Sequence, residues 1–187
     1  MPLTLTQNKP RYEGVKVTRE EYLDLDEDGY KYDMIQGVLT MAPSPHFEHN
    51  ELEINFAVQL KKNLTLTNKG RVSVETDVFL PDGGDVLRPD ISFILHENMG
   101  IVKTHIHGTP DLVCEVLSNA TRRRDLGEKA DRYLKNGVKE YWILDPVEKT
   151  MELWLNRGAA WEKKSGRQIS SELLPGFEVK SEDIFIA

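Results

Sequence analysis

Apolar residues recur with two different periods along the chain, and each period predicts a different kind of element. Over residues 44–67, the residues Leu52, Phe56, Leu60 and Leu64 follow one another at four-residue spacing. This spacing is typical of a helix with one apolar face. We therefore predict a long helix in the first half of the chain.

Two shorter elements precede that helix. Thr18 is followed by Glu21 three residues later, which is the pattern of a capping box and predicts the start of a short helix. The segment "YKYDMIQGVLTMAP" alternates apolar and polar residues on either side of Gln36 and Gly37. It predicts two short strands joined by a tight turn at that pair.

After residue 70 the pattern changes to short apolar runs, which predict strands. The runs are "RVSVETDVFL", "RPDISFIL", "PDLVCEVL" and "KEYWILD", followed by "TMELWL" and "AWEKK" as a hairpin. A helix is expected over residues 121–136, ending at Gly137. We expect the strand–helix–strand unit over 110–145 to be parallel. The prediction is one α/β domain, residues 1–187, with a mixed β-sheet flanked by α-helices and with residues 1–14 as a flexible tail.

One of these strands contains a charged residue that needs an explanation. In "PDLVCEVL", side chains alternate between the two faces of the strand, so Glu115 shares a face with Val113 and Leu117. Burying a carboxylate among apolar groups is unfavourable unless something pairs with it. The strand therefore predicts a specific partner for Glu115.

Spacing leaves two explanations of Glu115 open. Asp111 lies about 13 Å away along the same strand, too far to share one ion. Asp90 belongs to the preceding strand and could come within about 5 Å of Glu115 at Cβ if the strands pair. Mg²⁺ or Mn²⁺ between the two carboxylates would then relieve their repulsion. Alternatively, Asp90 caps a strand end and Glu115 pairs with an arginine such as Arg122.

The segment that follows Glu115 is rich in basic residues. Residues 122–139 contain seven basic and three acidic side chains, a local charge of +4. In a regular helix, Lys129 would lie at the edge of the apolar face, four residues after Asp125, and could direct its ammonium towards the sheet. The commoner outcome of such a charge run is a solvated helix face with some ion pairs.

Composition and charge restrict the functional classes. The chain has 187 residues, 39% hydrophobic and 29% charged, which is an ordinary globular mixture. The net charge of −7 argues against loose binding to nucleic acid or anionic lipid over the whole surface. We find no secretory signal and no membrane-spanning segment, and the single Cys114 excludes an intrachain disulfide. We therefore expect a cytoplasmic protein.

Several of these segments together resemble a known family. The pieces "YDMIQGVLTMAPSPHFEHN", "RPDISFIL", "EVLSNAT", "GVKEYWILDP" and "LPGFEVKSEDIF" resemble the Uma-type putative restriction endonuclease family, a branch of the PD-(D/E)XK nuclease superfamily. The resemblance covers nearly the whole chain. It implies a restriction-endonuclease-like fold and metal-dependent cleavage of phosphodiester bonds.

The resemblance also implies roles for individual residues. Asp90 and Glu115 would be the metal ligands, and Lys129 would replace the lysine that usually stands two residues after the glutamate, where this chain has Leu117. The family's early acidic position is Asp33 here. Further candidate site residues are Asp33, His49 and Asp125, and candidate phosphate-binding residues are Arg122 and Arg132.

The predicted function is a Mg²⁺- or Mn²⁺-dependent endonuclease acting on DNA as a homodimer, because cutting both strands needs two active sites. One alternative is a catalytically inactive nuclease-fold module that binds nucleic acid or protein. Another is a metal-dependent hydrolase of a smaller phosphodiester, which would use the same residues without an extended basic surface.

Overall fold

The computed structural model describes residues 10–186. In chain order, the helices and strands are α1 (Arg19–Leu23), β1 (Lys31–Ile35), β2 (Val38–Ala42), α2 (Phe47–Thr67), β3 (Gly70–Val74), β4 (Val78–Phe79), β5 (Val86–Leu87), β6 (Ile91–Leu95), a 3-10 helix (His96–Ile101), β7 (Ile106–His107), β8 (Leu112–Val116), α3 (Arg122–Arg124), a π-helical turn (Asp125–Lys129), α4 (Ala130–Lys135), β9 (Glu140–Asp145), β10 (Thr150–Asn156), β11 (Trp161–Ser165), β12 (Gln168–Ser170), β13 (Glu178–Lys180) and α5 (Ser181–Ile184).

A six-stranded mixed sheet forms the centre of the fold. Its strand order is β11-β10-β9-β8-β6-β3, and β8 and β9 are parallel while the other neighbouring strands are antiparallel. The parallel strand–helix–strand unit predicted over residues 110–145 is therefore confirmed. The predicted hairpin of β10 and β11 is confirmed as well.

A second sheet has the strand order β2-β1-β5-β4-β7, and β12 pairs with β13 in a small third sheet. β1 and β2 form the predicted hairpin. Gln36 and Gly37 at its tip both have positive φ angles, 54° and 76°. The Gln36 N–H donates to Asp85 Oδ1 at 2.7 Å, which attaches the turn to the loop before β5.

Helices cover both faces of the six-stranded sheet. The apolar face of α2 packs on one side, and its Leu52, Phe56, Leu60 and Leu64 are buried as predicted. On the other side, the helical segment 122–135 packs through Ala130 and Tyr133. Within residues 10–186, no helix is long and apolar enough to cross a lipid bilayer.

The predicted flexible tail, residues 1–14, lies partly outside the described residues, which begin at residue 10. The remaining part of it is attached to the fold. The Gly14 N–H donates to the carbonyl oxygen of Leu39 at 2.8 Å, and the Leu39 N–H donates to that of Val15 at 2.9 Å. Gly14, the last residue of the predicted tail, is therefore hydrogen-bonded to β2.

Glu140, at the start of β9, anchors the C-terminal segment to the central sheet. Its carboxylate is almost completely buried and accepts hydrogen bonds from Trp142 Nε1, the Ser171 hydroxyl and the backbone N–H groups of Glu172 and Leu173. These donors satisfy a group that would otherwise be very unfavourable to bury.

We expect Glu140→Ala to lower the free energy of unfolding by about 3 kcal/mol, because it leaves buried donors without an acceptor. Urea denaturation followed by circular dichroism measures this. Glu152 is a matched control, since it accepts a hydrogen bond from Trp154 Nε1 with the same two-residue spacing but no other described hydrogen bond. Glu152→Ala should lower the free energy of unfolding by only about 1 kcal/mol. Equal losses in the two variants would contradict the anchoring role.

Candidate active site

Asp90 and Glu115 lie next to the end of the ladder between β6 and β8. The last pair of this antiparallel ladder is Ile91 and Cys114, and Asp90 and Glu115 are the residues that follow it. Asp90 is fixed in place by the Val116 N–H, which donates to its Oδ2 at 2.6 Å. The antiparallel pairing of β6 with β8, on which the predicted approach of the two carboxylates depends, is present.

Glu115 is bound directly by Lys129. The Lys129 Nζ lies 2.7 Å from Glu115 Oε1, and the Tyr133 hydroxyl donates to the same oxygen at 2.9 Å. Lys129 and Glu115 are each only 3% exposed. The alternative prediction, that Glu115 pairs with Arg122, was wrong: the guanidinium of Arg122 pairs with Asp145 at the end of β9.

A π-helical turn buries Lys129. The sequence predicts a continuous α-helix here, with Lys129 at the edge of its apolar face, but residues Asp125–Lys129 form a π-helical turn between α3 and α4. The wider turn holds Asp125 and Lys129 together on the buried face, with Lys129 Nζ 3.6 Å from Asp125 Oδ1. Such turns are rare and often occur at functional sites.

Asp33, on β1 of the second sheet, also contacts the basic residues of this site. Its Oδ2 lies 3.2 Å from an Arg124 guanidinium nitrogen and 3.8 Å from Lys129 Nζ, and its Oδ1 accepts from the Arg88 N–H at 2.9 Å. The early acidic residue is thus brought to the same lysine as Glu115. Asp33 and Asp125 are each 2% exposed.

On the other side of Asp90, α2 contributes His49 and a residue that the sequence analysis missed. His49 Nε2 lies 3.3 Å from Asp90 Oδ1. Glu53, one helical turn after His49, is 7% exposed and belongs to the same group of potential metal ligands. The signal was available, because a histidine and a glutamate four residues apart lie on one helix face.

These groups line or adjoin one cleft of about 390 Å³. The predicted site residues that line it are Asp33, His49, Asp90, Glu115, Asp125 and Lys129. The two predicted phosphate-binding residues do not line the cleft. Arg122 pairs with Asp145, as described above, and Arg132 pairs with Asp85: the Arg132 Nε lies 2.9 Å from Asp85 Oδ2. The arginines that do line the cleft are Arg88 and Arg124.

The site has an excess of negative charge, and this excess changes the pKa values of its side chains. Burial and the negative charge of Asp90 raise the pKa of Glu53 to about 7. Burial, reinforced by Asp90 and Asp125, raises the pKa of Glu115 despite the nearby Lys129. Burial alone would lower the pKa of Lys129, but Asp33 and Glu115 outweigh it and keep the ammonium charged.

The donor set fits a hard divalent cation. Five carboxyl groups gather here, and the cations in contact with them are Lys129, Arg124 and, when protonated, His49. The carboxyl groups are those of Asp33, Glu53, Asp90, Glu115 and Asp125. Carboxylate oxygens are the ligands that Mg²⁺ and Mn²⁺ prefer, and a bound ion would offset the excess negative charge.

Comparisons with known proteins found a family and a solved structure of similar fold. Residues 19–182 match the family described as Uma2, putative restriction endonuclease. No curated protein matches the sequence. The fold is similar to the crystal structure of a putative nuclease belonging to DUF820 from Anabaena variabilis, with a TM-score of 0.77 at 18% identity, covering 90% of this chain and 97% of that one. The predicted restriction-endonuclease-like mixed sheet flanked by helices is confirmed.

The raised pKa of Glu53 predicts a pH-dependent loss of stability. The folded protein holds this proton up to about pH 7, whereas the ordinary pKa is 4.5. Stability from Glu53 is therefore complete below about pH 4.5 and is lost as the pH rises to about 7. In EDTA at pH 8, Glu53→Gln should be more stable than wild type by about 1–2 kcal/mol, and the difference should shrink towards pH 5.

Urea denaturation at several pH values measures this difference. Glu51→Gln is the matched control, since Glu51 lies on the same helix but outside the group of potential ligands. A difference between wild type and Glu53→Gln that stays constant from pH 5 to pH 8 would show that Glu53 does not titrate as described.

Proposed function

Since this chain belongs to the Uma2 family of putative restriction endonucleases, we propose that it is a divalent-metal-dependent endonuclease that hydrolyses phosphodiester bonds in DNA. The observation that supports this most strongly is that Asp90, Glu115 and Lys129 line one cleft, in which Lys129 contacts Glu115. Two acids and one lysine are the functional groups that such a hydrolysis needs.

Asp90 and Glu115 would hold the ion, Mg²⁺ or Mn²⁺, with Asp33 close by. When bound, the ion would supply a Lewis acid that polarises a phosphate oxygen and a coordinated water that loses its proton more readily. Cleavage transfers the oxygen of a water molecule to phosphorus. One ester P–O bond breaks, and the departing oxygen takes up a proton.

Lys129 would act through its charge. Because its carboxylate neighbours raise its pKa, the ammonium stays protonated near neutral pH and is poorly suited to remove a proton from water. It can instead stabilise the negative charge that develops on the phosphate in the transition state. We therefore propose an electrostatic role for Lys129.

The charge of the cleft also bears on the substrate. Its carboxyl groups outnumber its lysine and arginine side chains, so a phosphodiester would be repelled unless a cation is bound. Hydrolysis of both strands of a duplex would require two such clefts, and the proposal therefore includes a homodimer. The alternative, an inactive module that binds nucleic acid or protein, would not require Asp90 or Glu115 to bind metal.

Asp90→Asn should lower DNA cleavage by about 100-fold or more, since one metal ligand is weakened. Cleavage of supercoiled plasmid and of single-stranded DNA, each with Mg²⁺ and with Mn²⁺, measures this. Asp111→Asn is the matched control: Asp111 also follows a proline and accepts a backbone N–H, from Leu95 at 2.8 Å, but lies outside the cleft. Its activity per folded molecule should match wild type.

Cleavage that is equal in wild type and Asp90→Asn would contradict the proposed mechanism. Metal-independent binding of DNA with no cleavage by wild type on either substrate would favour the binding module.

Metal binding can also be tested without a substrate. At 100 times its dissociation constant, Mn²⁺ should raise the thermal midpoint of wild type by about 5–10 °C. In Glu115→Gln the rise should fall by at least about half, because one ligand is lost. Glu140→Gln, which alters another buried strand glutamate outside the cleft, should keep the full rise despite a lower starting midpoint. An undiminished rise in Glu115→Gln would show that Glu115 is not a ligand.

A further inference from the structure

The central sheet has two edge strands, and their side chains differ in charge. In the order β11-β10-β9-β8-β6-β3, β11 and β3 each have a neighbour on one side only. The β11 segment "WEKKS" contains Glu162, Lys163 and Lys164, and charged side chains, lysine above all, discourage an edge strand from pairing with another chain. The β3 segment "GRVSV" contains only one charged residue, Arg71. β11 is therefore protected against such pairing, and β3 is much less so.

The ladder between β3 and β6 shows which backbone groups of β3 point outward. Directly opposite residues in an antiparallel ladder alternate between hydrogen-bonded and non-hydrogen-bonded pairs. Glu75 and Asp90 are the next pair in the register of β3 and β6, and the Glu75 N–H donates to the carbonyl oxygen of Asp90 at 2.9 Å. The odd-numbered residues of β3 therefore bond to β6. The N–H and C=O groups of Gly70, Val72 and Val74 point away from it.

These outward groups have almost no partners within the chain. Among residues 10–186, their only described hydrogen bond is the one that the Thr76 hydroxyl donates to the carbonyl oxygen of Val74 at 3.0 Å. A carbonyl oxygen can accept two hydrogen bonds, so this contact does not block pairing. Such a row of outward N–H and C=O groups is a template for a further strand.

We propose that β3 pairs antiparallel with β3 of a second copy of this chain, around Val72, and so forms a two-fold homodimer with one continuous sheet. The inference rests on the proposed function, since it provides the interface of the homodimer proposed there. Val72 is then opposite Val72 of the partner subunit, and Gly70 is opposite Val74 of the partner subunit. Each of these pairs exchanges two hydrogen bonds.

The side chains of β3 favour its own copy as the partner. Two-fold pairing sets each strand against its own sequence. Arg71 is then opposite the small, neutral Ser73 of the partner subunit, and Glu75 of the partner subunit is a diagonal neighbour of opposite charge. The same pairing of β11 around its central residue would set Lys163 directly against its own copy, which is unfavourable.

This pairing also determines the spacing of the two clefts. Glu75, the residue after β3, lines the cleft. Two-fold symmetry around Val72 places the two copies of Glu75 about 20 Å apart along the paired strands, at about 3.3 Å per residue. This distance is the rise of about six base pairs, so both clefts lie within reach of one duplex.

Amide hydrogen exchange tests the pairing without any variant. In the full chain, protection of the Val72 and Val74 N–H groups should increase with protein concentration over about a hundred-fold range, because dimer formation follows mass action. Ser73 is the internal control. Its N–H faces β6 and should be protected at every concentration.

A proline at the end of β3 tests the same contact. Val74 is 49% exposed and its N–H points outward, a position at which an edge strand tolerates proline. In Val74→Pro the dissociation constant of the dimer, measured by analytical ultracentrifugation, should rise about 10-fold or more, because two hydrogen bonds per dimer are lost. Val74→Lys, which adds a charge to the edge, should also weaken the dimer.

Ser165→Pro is the matched control on the other edge of the sheet. Ser165 ends β11 as Val74 ends β3. The Arg157 N–H donates to the carbonyl oxygen of Ala160, so by the same alternation the N–H of Ser165 points away from β10. The dissociation constant of Ser165→Pro should stay within about 2-fold of wild type.

The outcomes separate this inference from the proposed function. A dimer whose Val72 N–H exchanges freely, or whose dissociation constant is unchanged in both Val74 variants, would overturn the β3 interface and leave the endonuclease standing. A wild type that is monomeric at every concentration would also overturn it. If the protected dimer forms but cleaves no DNA with either metal, the interface stands and the proposed function fails.

Discussion

A buried ammonium group holds the centre of this structure together. Lys129 has almost no contact with solvent, and an isolated buried cation would be very unfavourable. It is tolerated because Glu115, Asp33 and Asp125 surround it. These carboxylates come from the central sheet, the second sheet and the helical segment itself. The ion pairs of Lys129 therefore hold these three parts of the fold in contact.

Alternation along strands predicted much of the site. The period of two placed Glu115 on a buried face, and the predicted pairing of β6 with β8 is present, with Asp90 and Glu115 lining the same cleft. The long helix was also predictable from its four-residue apolar spacing, although α2 begins at Phe47 rather than near residue 44. These elements follow local periodicities that neighbouring packing does not alter.

Other features depend on contacts that no local pattern contains. The π-helical turn departs from the regular helix that propensity favours, and it is held by the buried contacts of Asp125 and Lys129. Arg122 and Arg132, predicted to bind phosphate, lie outside the cleft, because they pair with Asp145 and Asp85, which are distant in sequence. Spacing identifies which charged residues share an element, but long-range pairing decides which of them reach the site.

Under the proposed chemistry, the acid-rich cleft has a kinetic consequence. A polyanion approaching the metal-free protein meets like charge, whereas a small divalent cation is attracted to it. Binding would therefore be ordered, with the cation entering before the nucleic acid. At low cation concentration the rate would be limited by encounter with the substrate rather than by bond cleavage. The protein would then respond to the local supply of free divalent ions, without a separate regulatory domain.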